Sequence, residues 1–163
     1  MSPWIYVLIL LELAIISLID IKTKKISNFW SFAQIAAAIF FYFSMDSYQW
    51  SWTVLIYPII WFIVGFGLFL LGIMGAGDSK LITSLYLLIP LSLHHVMLEK
   101  ILISTIVVGF MNFFIKIIKD FRTIKAYALS AYWQGFWTKM KSNFSFAPVI
   151  MMAWILLGVQ LWF

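Results

Sequence analysis

Residues 52–74 contain no charged side chain, only aliphatic and aromatic groups broken by Thr53, Pro58 and three glycines. Such a segment has nothing to offer water, and it is long enough to cross a hydrocarbon layer as a helix, which takes about 20 residues. Comparable apolar stretches occupy residues 3–19, 29–45, 80–93, 101–118 and 146–163, the fourth being shorter and carrying Pro90. With 64% hydrophobic and 10% charged residues in a chain of 163, there is too little polar surface to cover a water-soluble domain. In lipid every backbone N–H and C=O must be satisfied internally, so the spans are expected to be helices. The expected fold is all-α: a polytopic transmembrane bundle of about six helices, forming a single membrane-embedded domain over residues 1–163.

The first apolar stretch is followed, not preceded, by its positive charges at Lys22, Lys24 and Lys25, so it is expected to be a retained helix rather than a cleaved signal. If both ends of the chain face outward, all but Lys100 of the 11 basic residues lie on the inner side, the asymmetry that sets orientation in membranes. That arrangement puts Asp20 and Asp78 at one, cytoplasmic, face. Residues 120–143 are too polar to cross, yet Phe121, Ile124, Ala128, Tyr132, Phe136 and Met140 recur at roughly a helical period. An amphipathic interfacial helix between the fifth and sixth spans is expected there, with Trp133 and Trp137 at headgroup level. The net charge of +5 belongs to these span-flanking residues and points to the lipid bilayer as partner, not to nucleic acid.

Ionisable groups beside hydrocarbon are costly, so the six acids can be sorted by position. Asp46, Glu99 and Asp120 are expected in solvated turns. Glu12 lies within the first span, about 12 Å along the helix axis from Asp20, where it could line a polar cavity or accept hydrogen bonds from a neighbouring helix. Asp20 and Asp78 each stand at a helix boundary on the same face. Two carboxylates that meet there would share a single proton near neutrality, because repulsion and desolvation oppose the doubly ionised state. The ionised member could then activate water while the protonated one polarises a peptide carbonyl. Each also has an ordinary reading: a helix-end charge paired with Lys22 or Lys24 for Asp20, and an N-cap of the fourth helix for Asp78. Gly75 and Gly77, just before Asp78, would allow close main-chain approach or positive φ. The adjacent His94 and His95 point in different directions on a helix and are read as residues of the outer interface, so no metal site is expected. The chain has no cysteine, which excludes disulfides, thiolate metal sites and a cysteine nucleophile.

The segment Gly75-Ala76-Gly77-Asp78-Ser79-Lys80-Leu81 resembles the glycine-x-glycine-aspartate signature of the type IV prepilin peptidases and the archaeal preflagellin peptidases. The partner segment is similar too. In that family the first aspartate is followed by a basic run and isoleucine-proline-asparagine; here Asp20, Lys22, Lys24, Lys25, Ile26 and Asn28 match, and Ser27 replaces the proline. Phe146-Ala147-Pro148 opening the last span resembles the short members found with Flp-type pili. The resemblance implies an intramembrane aspartyl endopeptidase with Asp20 and Asp78 as the catalytic pair, and with Gly75, Gly77 and Lys80 shaping the substrate loop. It implies a prepilin-like membrane protein as substrate, a short basic leader removed at the cytoplasmic face of the inner membrane, and no cofactor. N-methylation of the product is not expected, since the cysteines and extra cytoplasmic region of the long bacterial forms are missing. Loss of the proline is expected to loosen the turn after Asp20.

Two other readings remain open on the residues alone. A small proton- or cation-coupled transporter or channel subunit would use buried acids, but would need them spread through the bilayer depth, where only Glu12 lies. A non-catalytic assembly protein would tolerate Asp-to-Asn changes that a carboxylate pair cannot.

Overall fold

The computed structural model describes residues 1–45, 48–121 and 146–162. Among the described residues six α-helices follow one another: α1 (Pro3–Thr23), α2 (Asn28–Ser44), α3 (Ile56–Leu70), α4 (Ala76–Leu88), α5 (His94–Lys119) and α6 (Ala147–Trp162). Short 3-10 turns at Trp52–Leu55 and Leu91–Leu93 lead into α3 and α5. There is no strand among the described residues. Pro3–Thr23, Trp52–Leu70 and Leu91–Lys119 are long and apolar enough to cross a membrane, and α6 is a shorter apolar helix. The protein is a helical membrane bundle. Its outer surface agrees: Phe43 is 88% and Trp4 81% exposed, which lipid accepts and water does not.

Two boundaries differ from expectation in ways that matter. Helix α4 begins at Ala76, ahead of Lys80, so Asp78 is its third residue rather than its N-cap, and its carboxylate accepts the N–H of Gly75, the residue at the N-cap. Helix α5 begins at His94, well ahead of residue 101, and takes in His95, Glu99 and Lys100, which were expected in a turn. Pro90 follows the end of α4, and the orphaned Ile89 carbonyl pairs with His94 Nε2 at 3.0 Å. His94 is therefore buried, with its ring edge-on to Tyr57 and Tyr86, and is not an interfacial residue. His95 does remain exposed. Glu99 is held by Lys100 at 3.2 Å, so the two charges offset one another on the helix surface. The interfacial helix expected over 120–143 falls almost entirely outside the described residues.

The helices pack chiefly in two groups. Helix α4 lies between α2 and α3, while α6 lies between α1 and α5. The α1–α6 contact is closed by a reciprocal pair: Tyr6 Oη donates to the Trp154 carbonyl at 3.0 Å, and Trp154 Nε1 donates to the Tyr6 carbonyl at 3.2 Å. Their rings stack 5.3 Å apart, and Gly158 leaves room for the Tyr6 ring. One buried cluster runs through both groups, including Leu13 and Ile16 of α1, Leu81, Ile82 and Leu85 of α4, and Ile150 and Trp154 of α6.

Truncating Trp154 removes both packing and a hydrogen-bond donor, so Trp154→Ala is expected to cost about 3 kcal/mol. Tyr6→Phe, which removes only one interhelical bond, is expected to cost about 0.6 kcal/mol. Thermal unfolding midpoints of the two variants in detergent, set against the parent, check the ordering.

Candidate active site

The α1–α2 turn and the first turn of α4 meet at one end of the bundle. Helix α1 stops there because Thr23 Oγ1 donates back to the Ile19 carbonyl at 2.9 Å, and Lys24 takes a left-handed conformation with φ of 54°. The Lys24 N–H donates to the Asp20 carbonyl at 2.9 Å, closing the helix on the aspartate itself. Asp20 consequently lies in the last turn of α1, its side chain 4% exposed. Ser27 then starts α2: its Oγ accepts from the Phe29 N–H at 3.3 Å, and its φ of −68° is the value proline would impose. The turn expected to be looser without proline is thus held by a serine cap at the same backbone angle.

Gly77 explains why this turn can lie against α4. A Cβ built on Gly77 would come within 2.9 Å of Ile26 Cβ and 3.2 Å of the Ile26 carbonyl oxygen, so only glycine permits the approach. Gly75 has a different task. It occupies the N-cap position with an extended backbone, φ −74°, and its N–H donates to Asp78 Oδ2 at 3.2 Å. A Cβ there would lie 2.9 Å from that same oxygen. Neither glycine uses positive φ; the glycine that does is Gly72, φ 68°, in the α3–α4 connection.

Asp78 therefore anchors one oxygen on its own helix start, and its carboxylate feels the charge of Asp20. It is 6% exposed. Asp20 Oδ2 and Asp78 Oδ1 are both buried without a hydrogen-bond partner among the described residues. Asp78 precedes the apolar part of α4, and its carboxyl is pushed up to about 7, first by burial and then by the negative charge of Asp20. The Gly75 N–H and the charge of Lys24 act in the opposite sense and are outweighed. Two buried carboxylates thus interact here, and Asp78 is raised so that it holds a proton more readily near neutral pH.

Lys80 is not part of that pair. Two residues beyond Asp78, at about 100° per residue, it projects to nearly the opposite side of α4, where its Nζ donates to Asn28 Oδ1 at 3.1 Å on the surface. Both residues belong to the motifs, yet their contact ties α2 to α4 at the rim. Lys24, by contrast, was read in the sequence as part of a basic run and as a possible partner of Asp20, and in the structure its charge also acts on Asp78. No group of three or more His, Cys, Asp or Glu side chains arranged for a metal ion occurs among the described residues.

A profile of the type IV leader peptidase family matches residues 7–162, a stretch that includes Asp20, Asp78 and the turns that carry them. The chain belongs to this family. It is accordingly a protease of the leader-peptidase kind, with a protein substrate. No curated protein and no solved structure matches it.

In this leader peptidase the Asp78 carboxyl should titrate with a midpoint near 7. Asp20→Asn removes a nearby negative charge, so the midpoint should move down. Difference infrared spectroscopy, following the protonated-carboxyl band that Asp78→Asn abolishes, reads both values.

Proposed function

We propose that this protein is an aspartic endopeptidase that removes a short basic leader from prepilin-like membrane proteins, with Asp20 and Asp78 as its catalytic pair. The observation that carries the reading is the pairing of two buried carboxylates, each with an oxygen lacking a partner among the described residues, at turns held together by the Gly77–Ile26 approach. The family match and the motif order in the sequence support the same assignment.

In the proposed reaction Asp78 holds the proton and hydrogen-bonds the scissile carbonyl oxygen, while the partner carboxylate takes a proton from an attacking water. The water oxygen adds to the carbonyl carbon. The tetrahedral intermediate collapses by breaking its C–N bond, and a proton passes to the departing amine. Neither a metal nor a covalent enzyme intermediate takes part. Gly75 and Gly77 keep the loop low enough for a substrate backbone to lie across it, and Lys80 with Asn28 forms its rim. The distribution of basic residues supports a site at the cytoplasmic face of the inner membrane, where a basic leader would remain while the apolar segment lies in lipid. The whole chain acts as one domain, and methylation of the new amino terminus is not part of the reading.

Co-expression with a tagged prepilin-like substrate, followed by gel shift, tests the assignment. The parent should release the leader, and Asp20→Asn and Asp78→Asn should each lower the rate by on the order of 10³-fold or more. Processing that survives both changes overturns it. The rate should also fall as pH rises through about 7, because the proton that polarises the carbonyl is then lost from Asp78.

A further inference from the structure

Inside the bundle, away from the carboxylate pair, three polar side chains from three helices come together. Ser84 of α4 donates its hydroxyl to Gln34 Oε1 of α2 at 2.7 Å, and each residue is 1% exposed. On its other side the Gln34 amide interacts with the carboxyl of Glu12 on α1. Gln34 Nε2 and Glu12 Oε1 are buried, yet neither completes a hydrogen bond within the described residues. Measured along their own helices at about 1.5 Å per residue, Glu12, Gln34 and Ser84 all lie roughly 9–12 Å inward of the turns that carry Asp20, Ser27 and Asp78. They form one polar layer parallel to the site.

The position of this layer matters because α1 and α4, which bear the two aspartates, are not each other's main packing partners. Helix α1 packs on α6, and α4 on α2 and α3. Apolar contacts cannot fix the register between the two groups well, since in hydrocarbon a leucine gains little by leaving lipid for another helix. Polar groups can, because a donor or acceptor with no partner in hydrocarbon costs several kcal/mol. Sliding α1 by one turn, about 5.4 Å, would take Glu12 away from Gln34 and Asp20 away from Asp78 together.

We infer that Glu12, Gln34 and Ser84 are positioning residues that set the register of α1 against α2 and α4, and through it the separation of Asp20 from Asp78. They touch neither substrate nor the reacting atoms. Glu12 acts through the polar contact of its carboxyl with the Gln34 amide, so its amide analogue should serve nearly as well. The inference rests on Asp20 and Asp78 being the working pair, but its structural half can be read without any cleavage.

The absence of cysteine allows site-specific spin labels at Lys22→Cys and Ala76→Cys, exposed positions beside the two aspartates. Pulsed electron resonance on that pair should show a single narrow distance in the otherwise unchanged protein and in Glu12→Gln. It should show a broadened or displaced distribution in Gln34→Leu, Glu12→Leu and Ser84→Ala. In unlabelled protein the same three variants should lose kcat for leader removal, on the order of 10²-fold for a displacement of about 1 Å, with KM within about twofold of the parent. Glu12→Gln should keep kcat near the parent. If Gln34→Leu does not fold, Gln34→Asn, which keeps the amide but shortens its reach, should show the same two effects. Unchanged distances in Gln34→Leu and Glu12→Leu, or a loss confined to KM, overturn the inference. Failure of the catalytic assignment itself would show differently: Asp20→Asn would still cleave, whatever the spin-label distances.

Discussion

Where a side chain would stand on Gly77, the Ile26 carbonyl and Cβ already lie. This single close approach lets the turn after α1 rest on the first turn of α4, and the remaining features of the site follow from it. The αL cap at Lys24 ends α1 on the Asp20 carbonyl, so the chain can double back within a few residues. Ser27 then opens α2 with a proline-like φ and a side-chain cap. On the opposing helix the Gly75 N–H holds one oxygen of Asp78 and so orients the other. Each of these local devices would be of little consequence if the turn and the helix start were held apart by even one extra methyl group.

Burying two carboxylates in this way is unfavourable in isolation, and the molecule limits the cost without removing it. One oxygen of Asp78 is hydrogen-bonded, Lys24 supplies a nearby positive charge, and the raised pKa of Asp78 lets its carboxyl take up a proton as pH falls through about 7. What is left unsatisfied among the described residues, Asp20 Oδ2 and Asp78 Oδ1, is what the proposed mechanism would use for a water and a carbonyl. Stability and chemistry are therefore opposed at this end of the bundle. The stabilising contacts lie elsewhere, in the Tyr6–Trp154 pair between α1 and α6 and in the aromatic cluster of Tyr57, Tyr86 and His94 at the far end of α4.

The proposed polar layer of Glu12, Gln34 and Ser84 addresses a problem particular to lipid. A water-soluble protein can align two helices by burying apolar faces against each other, because water penalises any misalignment. Lipid imposes no such penalty, so a catalytic pair divided between two helix groups needs directional contacts to hold its spacing. The Ser84–Gln34 hydrogen bond and the Gln34–Glu12 contact provide direction with little bulk.

The apolar spans, their order and the presence of an aspartate at each of two motif-bearing helix ends could be read directly from the sequence, because hydropathy and short motifs are local properties. The family match over residues 7–162 agrees with what those motifs imply. Other features depended on contacts between residues far apart in the chain. Nothing local distinguishes Lys80, which faces away toward Asn28, from Lys24, whose charge reaches Asp78. His94 looked interfacial until Ile89, freed by the break at Pro90, proved to be its partner. Gln34 and Ser84 could have been noticed as polar residues in apolar stretches, but not that they meet across two helices. Sequence alone determined which segments are apolar and which acids stand at their ends, since that depends on each segment's own side chains. Only the tertiary structure decided which acids meet, because that depends on how closely one backbone can approach another, here at the position where Gly77 has no side chain.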